Sequence, residues 1–145
     1  MRTCHEPPLF NLIQLMRMKG YVADLEEVTV NNSDYRRVLY TARNSQLVVM
    51  SIEPGDEIGE EVHELDQFIR IEAGKGEVTL DGVTHALEDD WAVVIPAGTK
   101  HNVVNTGDEP LKLYSVYAPP EHRDGVVHPT KADEVEEHFD GTTTE

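Results

Sequence analysis

The 145-residue chain is poor in cysteine, since Cys4 is the only one. A single cysteine cannot form a disulfide within the chain, and it excludes a zinc site built from several thiolates. We also see no export signal in the sequence. Because structural disulfides are typical of oxidising compartments, these features lead us to expect a protein of the reducing cytoplasm.

Basic residues are scarce relative to acidic ones. Twelve Lys and Arg stand against 28 Asp and Glu, which gives a formal net charge of −16. Such a charge repels phosphate backbones and anionic membrane surfaces, so the composition argues against nucleic acid or lipid as a partner. A small-molecule substrate or ligand, or another protein, is the expected partner.

Long apolar runs are also missing. The segment 9–16 is too short to cross a bilayer and is interrupted by Asn11 and Gln14. It lacks the small-residue cleavage site of a signal peptide. We expect it to form a short amphipathic helix or a loose tail, and we predict no membrane segment.

What the chain does contain is a series of short strand-like segments. They recur at a spacing of roughly eight to twelve residues, with no helical period of useful length between them. Asp81-Gly82 favours the tight turn of an antiparallel hairpin. The predicted strands are 25–30, 35–41, 46–52, a segment with Glu61 and His63, 67–71, 77–80, 83–87, 91–95, a segment from about 101, and 111–117. This pattern predicts one all-β domain, either a sandwich or a barrel.

The spacing of three residues indicates a candidate metal site. Glu61 and His63 are two positions apart, so on an extended segment both side chains point to one face. The turn at Pro96-x-Gly98 lets another strand begin near His101, which can present a second imidazole to that face. Two imidazoles and a carboxylate suit a divalent first-row transition metal with open positions for water, dioxygen or substrate.

These residues belong to a larger pattern that resembles the two sequence motifs of the cupin superfamily. The second motif matches in its closely spaced residues, which are Pro96, Gly98, His101 and Asn105. Its distant leading Gly is replaced by Asp90. The first motif, His-x-His followed by Glu and Gly, is altered and is represented by Glu61, His63, Gln67 and Gly74. The resemblance is close over residues 54–117 and looser from residue 18 onward.

The resemblance implies a fold and a division of the chain. The fold is a double-stranded β-helix, a small jelly-roll barrel with the ligands inside its mouth. Residues 18–120 would form this cupin barrel. Residues 1–17 would be an N-terminal extension, loose or packed on a partner subunit, and residues 121–145 an acidic tail with a short helix over 131–138. We also expect a homodimer, with residues 1–30 or the tail crossing over, because an uncovered strand edge invites pairing.

The resemblance also bears on the metal. Relative to the three-His, one-Glu site common in the family, this set trades one imidazole for an amide and moves its carboxylate to another strand. Such ligands are harder and weaker, which favours iron or manganese and leaves nickel, zinc and copper possible. Gln67 is either a ligand through its carbonyl oxygen or a residue that holds a water beside the ion. The competing interpretation is that His63 and His101 are structural and that Glu61 belongs to a solvated acidic loop.

Other candidate residues carry less weight. We expect the rest of the cavity to be formed by Met50, Ile52, Phe68, Ile71, Val103 and Tyr117. His85 is interpreted as a surface residue at the edge of the hairpin. His122, His128 and His138 have no regular ligand spacing, which favours a polar tail that covers the barrel or is exchanged with a partner over a second metal cluster. No second acid or base stands out near the motifs.

Three functions are compatible with such a site, because the cupin fold does not specify a reaction. The first is a small metal-dependent enzyme in which Glu61, His63 and His101, with or without Gln67, support Lewis-acid or dioxygenase-like chemistry on an oxygen-bearing substrate. The second is a non-enzymatic module that binds or senses a small molecule. The third is a sugar-phosphate isomerase-like protein, against which the net charge and the lack of a clustered Arg or Lys pair near the motifs both count.

Overall fold

The computed structural model describes residues 19–145 and contains two antiparallel β-sheets. The expectations for residues 1–17 lie outside this range. The strands are β1 (Arg36–Thr41), β2 (Gln46–Ile52), β3 (Asp66–Ala73), β4 (Lys75–Leu80), β5 (Val83–Glu88), β6 (Ala92–Ile95), β7 (His101–Asn105), β8 (Leu111–Ala118) and β9 (Val127–His128). The larger sheet has the order β6-β3-β8-β2-β1-β9, and the smaller one has the order β5-β4-β7.

The two sheets enclose one hydrophobic core. β2 is covered on both faces, as its apolar sequence predicts, and Val48, Val49 and Ile52 have no exposed surface. Val78 and Val103 of the smaller sheet belong to the same buried cluster as the side chains of the larger sheet. Two antiparallel sheets packed on a common core form a jelly roll, which confirms the expected all-β double-stranded β-helix.

Segment 25–30 is an α-helix, so the expectation of a strand there is wrong. The helix α1 spans Leu25–Asn31, and Asp24 caps it by accepting a hydrogen bond from the backbone N–H of Glu27 at 3.3 Å. The β-branched residues that suggested a strand are tolerated because Thr29 is buried and its hydroxyl donates to the carbonyl one turn back. Among residues 19–145, no helix is both long and apolar enough to cross a membrane.

Two turns explain residues that the motifs single out. Gly74 has φ +93°, and a Cβ there would lie 2.8 Å from the carbonyl oxygen of Pro110, so only glycine fits. Asp90, which stands where the motif usually has Gly, has φ +71°. Aspartate is one of the few residues that visit this left-handed conformation, and Arg70 donates a hydrogen bond to its carboxylate at 3.0 Å. The substitution therefore keeps the turn.

The C-terminal segment runs back against the barrel. It adds β9 as an edge strand beside β1. Only Lys131–Asp133 is helical, as a short 3-10 helix, so the expected helix over 131–138 is wrong. The backbone that follows pairs with the residues after β8 instead, through bonds from Arg123 N–H to Glu137 O at 3.0 Å and from Phe139 N–H to Glu121 O at 2.9 Å. These hydrogen bonds take the place of those that a helix would form. The domain boundaries at residues 18 and 121 stay a prediction.

Candidate metal centre

A backbone pairing between Glu61 and His101 forms the base of the site. The N–H of each residue donates to the carbonyl oxygen of the other at 2.9 Å, which holds the loop before β3 against the start of β7. The expectation of a strand at Glu61 and His63 is wrong, because both lie in a loop that has a single bridge at Glu61. The loop is extended enough at this point to bring the two side chains, two positions apart, to His101.

The turn before β7 anchors the third residue of the site. Thr99 N–H donates to Pro96 O at 3.1 Å and Gly98 has φ +84°, so the predicted Pro-x-Gly turn is present. Gly98 N–H also donates to the carbonyl oxygen of His63 at 2.7 Å. The same turn that begins β7 thus fixes the backbone of His63.

Glu61, His63 and His101 come together as one cluster. A ligand-type atom from each lies within 4.8 Å of the others, and no other such group is found in the described part of the chain. Nε2 of His63 is 3.5 Å from a carboxylate oxygen of Glu61, and the centroids of the two imidazole rings are 5.2 Å apart. Two imidazoles and a carboxylate at these distances could hold one divalent ion and leave positions for other ligands.

Each imidazole has an acceptor behind it. Nδ1 of His101 is 2.9 Å from the carbonyl oxygen of Thr99, which can only accept, so Nδ1 carries the proton and Nε2 is left as a donor to metal. Nδ1 of His63 is 3.6 Å from a carboxylate oxygen of Glu121. Metal-binding histidines are commonly oriented by an acceptor in this way. Both rings therefore have the environment that a ligand needs.

Burial sets the charge of the cluster. It raises the pKa of Glu61, and the positive charge of Arg36 opposes that rise. Burial lowers the pKa of His63, which the carboxylate of Glu121 opposes. Because the neutral imidazole is the form that binds metal, the lowered pKa of His63 favours metal over a proton.

Gln67 lies beside the cluster on β3. It pairs across the sheet with Tyr117, whose ring centroid is 6.1 Å from that of His63. The side chain is buried, and its Nε2 donates to the Ser115 hydroxyl at 3.2 Å. Its carbonyl oxygen has no hydrogen-bond partner among residues 19–145. A buried oxygen of this kind fits either of the roles expected of Gln67, a metal ligand or an acceptor for a water.

Five of the six residues expected to line the cavity are buried in the core, but none of the six is among the walls of the cavity described below. The buried ones are Met50, Ile52, Ile71, Val103 and Tyr117. The expectation for Phe68 is wrong, because its ring packs 6.3 Å from that of Tyr114, outside the buried core cluster. Side chains alternate along a strand, so a buried Gln67 and a buried Ile69 leave Phe68 on the opposite face.

A cavity of about 260 Å³ opens next to Glu61. Its walls come partly from the barrel and partly from the C-terminal segment, and they include Arg36, Glu61, Glu121, His122, Glu134 and His138. The acid that the motifs did not indicate is Glu121, whose carboxylate oxygens lie 3.6 Å from Nδ1 of His63 and 3.3 Å from Nδ1 of His138. The available signal was its position directly after the Pro119-Pro120 pair that ends the last long strand.

Of the remaining histidines, His122 and His138 lie in the walls of this cavity, whereas His85 does not. His85 is exposed, as expected. His122 packs edge-on against Tyr117 with ring centroids 5.2 Å apart, and burial lowers its pKa to about 3. His128 is buried, with Nδ1 3.5 Å from a guanidinium nitrogen of Arg36, while His138 is exposed. The tail that carries these residues covers part of the barrel, which was one of the expectations for it.

Asn105, the last residue of the second motif, has a structural role. Its side chain is buried, donates to the carbonyl oxygens of Ile52 and Glu109 at 2.9 and 2.8 Å, and accepts from Gly107 N–H at 2.9 Å. These three bonds tie the end of β7 to the end of β2 and to the loop before β8. The asparagine therefore holds the two sheets in position at this end of the barrel.

Comparison with known proteins identifies the family of the chain. The cupin domain profile matches residues 48–117, a range that includes all four candidate ligands. The uncharacterized protein YrkC of Bacillus subtilis (strain 168) is 47% identical over 124 residues, which are 81% of this chain and 67% of that protein. The chain belongs to the cupin family. The matched range spans β2 to β8 of this cupin.

Two further comparisons show how much of the chain the similarity covers. A crystal structure of the protein BH2720 from Bacillus halodurans is 47% identical, covers 79% of this chain and 92% of its own, and superposes with a TM-score of 0.78. The polyketide synthase CurC of Streptomyces cyaneus is 30% identical over 105 residues, which are 67% of this chain and 68% of that protein. The likeness thus extends beyond the motifs to most of the barrel.

Proposed function

We propose that this cupin is a small metal-dependent enzyme that acts on a small oxygen-bearing substrate. The observation that carries the proposal is the convergence of Glu61, His63 and His101, whose ligand atoms lie within 4.8 Å of one another beside a cavity. Gln67 is the proposed fourth ligand, or the residue that holds a water there. Iron or manganese is favoured because the set contains one carboxylate and an amide, and nickel, zinc and copper are the alternatives.

The residues of this chain would bind and orient the substrate and exchange protons with it. When bound, a divalent ion would act as a Lewis acid on a carbonyl, carboxylate or enediol oxygen, and iron would extend this to dioxygenase-like oxidation. Thr99 accepts a hydrogen bond from the His101 imidazole, and the Glu121 carboxylate lies 3.6 Å from Nδ1 of His63. Glu121 is also the carboxylate placed to take or hold a proton beside the cluster. A cavity of about 260 Å³ is slightly smaller than the usual range for ligand sites, which supports a small substrate.

Metal content is the first test. We expect the full chain, purified without chelator, to contain an equimolar first-row transition metal that is lost in Glu61→Ala and in His101→Ala. The exposed His85→Ala is the matched control and should keep the metal. Metal retained in both ligand variants would overturn the assignment of the site.

Turnover is the second test. Oxygen consumption and product formation would be measured over a panel of diketones, thiols and phenolics. Diketones come first because one relative is named a polyketide synthase. Turnover that stops in Glu61→Ala and His101→Ala would support an enzyme, whereas tight binding of a panel compound without turnover would support the binding or sensing alternative.

We also propose that the protein is a homodimer of the cytoplasm. β6 lies at one edge of the larger sheet, and beside it Trp91 and Val94 are 51% and 65% exposed. Apolar side chains along an unpaired strand edge favour association with a second copy. Light scattering at micromolar concentration tests the proposal, and a monomer would contradict it.

A further inference from the structure

Arg36 is a buried cation in the wall of the cavity. It is the first residue of β1, where it pairs with Met50 of β2 and with His128 of β9, so its backbone is held on both sides. Its side chain is only 4% exposed, yet it lines the same cavity as Glu61. An arginine this deeply buried needs a partner of opposite charge, because an unpaired buried charge is strongly unfavourable.

The guanidinium of Arg36 uses only part of its hydrogen-bonding capacity. Nη1 donates to one carboxylate oxygen of Glu134 at 2.5 Å. Among the residues that the structure describes, Nε has no acceptor, although it is buried. Tyr35 covers the group from one side, with its ring centroid 5.2 Å from Cζ. Since a guanidinium is suited to two parallel bonds with one carboxylate, this donor set is better matched to a free acid than to the single contact with Glu134.

Glu134 reaches Arg36 from a surface segment. It follows directly after the short 3-10 helix, and its side chain is 34% exposed while that of Arg36 is fixed in the sheet. Lys131 holds the start of the segment through an ion pair with Asp56 at 3.1 Å. Val135, the residue after Glu134, is 57% exposed. A segment with little buried apolar surface opens at low cost. Glu134 is therefore the member of the pair that can leave.

We propose that Arg36 is the carboxylate-binding residue of the cavity, and that Glu134 occupies the position which the carboxylate of a small substrate acid takes when it binds. The class of substrate is a small carboxylic acid with a second oxygen, such as a keto or hydroxy acid. This assignment of class rests on the proposed metal-dependent function, in which the second oxygen would be directed to Glu61, His63 and His101. The binding of the acid by Arg36 does not itself require the metal.

The charges of the cavity walls support the replacement of Glu134 by the carboxylate of a substrate. Arg36 is the only Lys or Arg among the described residues that form its walls. Three of the wall carboxylates, those of Glu134, Glu136 and Glu137, belong to the C-terminal segment. When the Glu134 side chain leaves Arg36, the guanidinium becomes available, while Glu137 stays in place because its carbonyl oxygen accepts from Arg123 N–H at 3.0 Å. An acid then meets one free positive charge in a wall that is otherwise acidic.

Titration of the full chain with levulinate tests the proposal, with methyl levulinate as the neutral control. We expect levulinate to bind at least about tenfold more tightly to Glu134→Gln than to the wild type, because the intramolecular competitor for a charge-assisted hydrogen bond is removed. Glu136→Gln removes the same charge from the same segment and should leave the affinity within about twofold of the wild type. Isothermal titration gives the affinities, and the NMR signal of the Arg36 Nε–H group reports where the acid binds.

Several outcomes would overturn the proposal. Equal gains in Glu134→Gln and Glu136→Gln would show a general charge effect, and equal binding of the ester would show that the carboxylate is not recognised. If Glu134→Gln is less stable than the wild type but binds levulinate no more tightly, the ion pair of Arg36 and Glu134 only stabilises the C-terminal segment. Binding in Glu134→Gln should disappear when Arg36→Gln is added. If that double variant does not fold, an unchanged Arg36 Nε–H signal during titration of Glu134→Gln refutes the proposal equally.

The same titration separates this proposal from that of the metal site. In Glu61→Ala, which lacks a proposed metal ligand, the gain produced by Glu134→Gln should persist. If it persists while the wild type contains no metal, the carboxylate subsite stands and the metal-dependent function fails. If the wild type contains metal but no variant binds levulinate through Arg36, the metal site stands and the carboxylate subsite fails.

Discussion

His122 should make the protein lose stability below neutral pH. Its ring packs against Tyr117, and its Nε2 is buried without a hydrogen-bond partner among residues 19–145. Burial lowers its pKa from 6.5 to about 3, and the positive charges of Arg36, His63, His128 and His138 act in the same direction. The perturbation is therefore acid, and the comparison is with His122→Phe, which keeps a ring against Tyr117 and cannot be protonated.

The magnitude follows from the difference in proton binding. Below pH 6.5 the unfolded chain binds a proton at His122, whereas the folded chain does not until about pH 3, so stability falls as pH falls through this window and is unaffected above it. One pKa unit corresponds to about 1.4 kcal/mol, so at about pH 5 the loss amounts to about 2 kcal/mol.

Urea denaturation of chelator-treated protein at about pH 7.5 and about pH 5 measures this loss as a change in the free energy of unfolding. Chelation is needed because metal and protons compete for His63 and His101. Wild type should lose about 2 kcal/mol more than His122→Phe between the two values. His85→Phe is the matched control, since it makes the same substitution at an exposed residue, and it should follow the wild type. Equal losses in wild type and His122→Phe would refute the reasoning, because they would mean that the His122 ring is protonated inside the fold.

Three further predictions concern the barrel and the metal. Gly74→Ala should lower the free energy of unfolding, measured by urea denaturation, by at least about 2 kcal/mol more than Gly82→Ala does. Both residues have positive φ, but only at Gly74 would the new Cβ meet a backbone oxygen. Asn105→Ala should lower the free energy of unfolding by about 2 to 4 kcal/mol, since a buried side chain loses three hydrogen bonds. Chelation should lower the Tm of the wild type and leave that of His101→Ala unchanged, because only a chain that binds the ion is stabilised by it.

Each of these has a result that contradicts it. Equal costs at Gly74 and Gly82 would mean that the neighbouring loop can move away from the new side chain. A loss below about 1 kcal/mol for Asn105→Ala would mean that water replaces the asparagine, as at an exposed site. A Tm of His101→Ala that falls on chelation as much as that of the wild type would place the ion elsewhere.

Much of the barrel could be predicted because its information is local. The apolar residues on both faces of β2 indicate a covered strand, and Asp81-Gly82 does form the hairpin between β4 and β5, with positive φ at both residues. Where two local signals competed, the prediction failed. Segment 25–30 has β-branched residues but also the cap Asp24 and two acidic residues in its first turn, and the capping interactions determine the helix.

Side-chain direction was predictable only where the period is regular. Gln67 and Ile69 point to the interior as expected, and their alternation places Phe68 on the other face, against the expectation for that residue. The C-terminal segment has a helical composition after Lys131, yet it is mostly extended. Its backbone finds partners on the residues that follow β8, and no pattern within the segment specifies a pairing with another part of the chain.

The sequence by itself determined the barrel and the three residues Glu61, His63 and His101, because strand periodicity and short motif spacings are properties of neighbouring positions. Only the tertiary structure placed Arg36 and Glu121 at the cavity. Each is far from the motifs in the chain, and each reaches the site through strand pairing and chain reversal, which depend on how the whole core packs. The residues proposed to bind the ion could therefore be predicted from the sequence, whereas the residues that would select the substrate are recognised only in the fold.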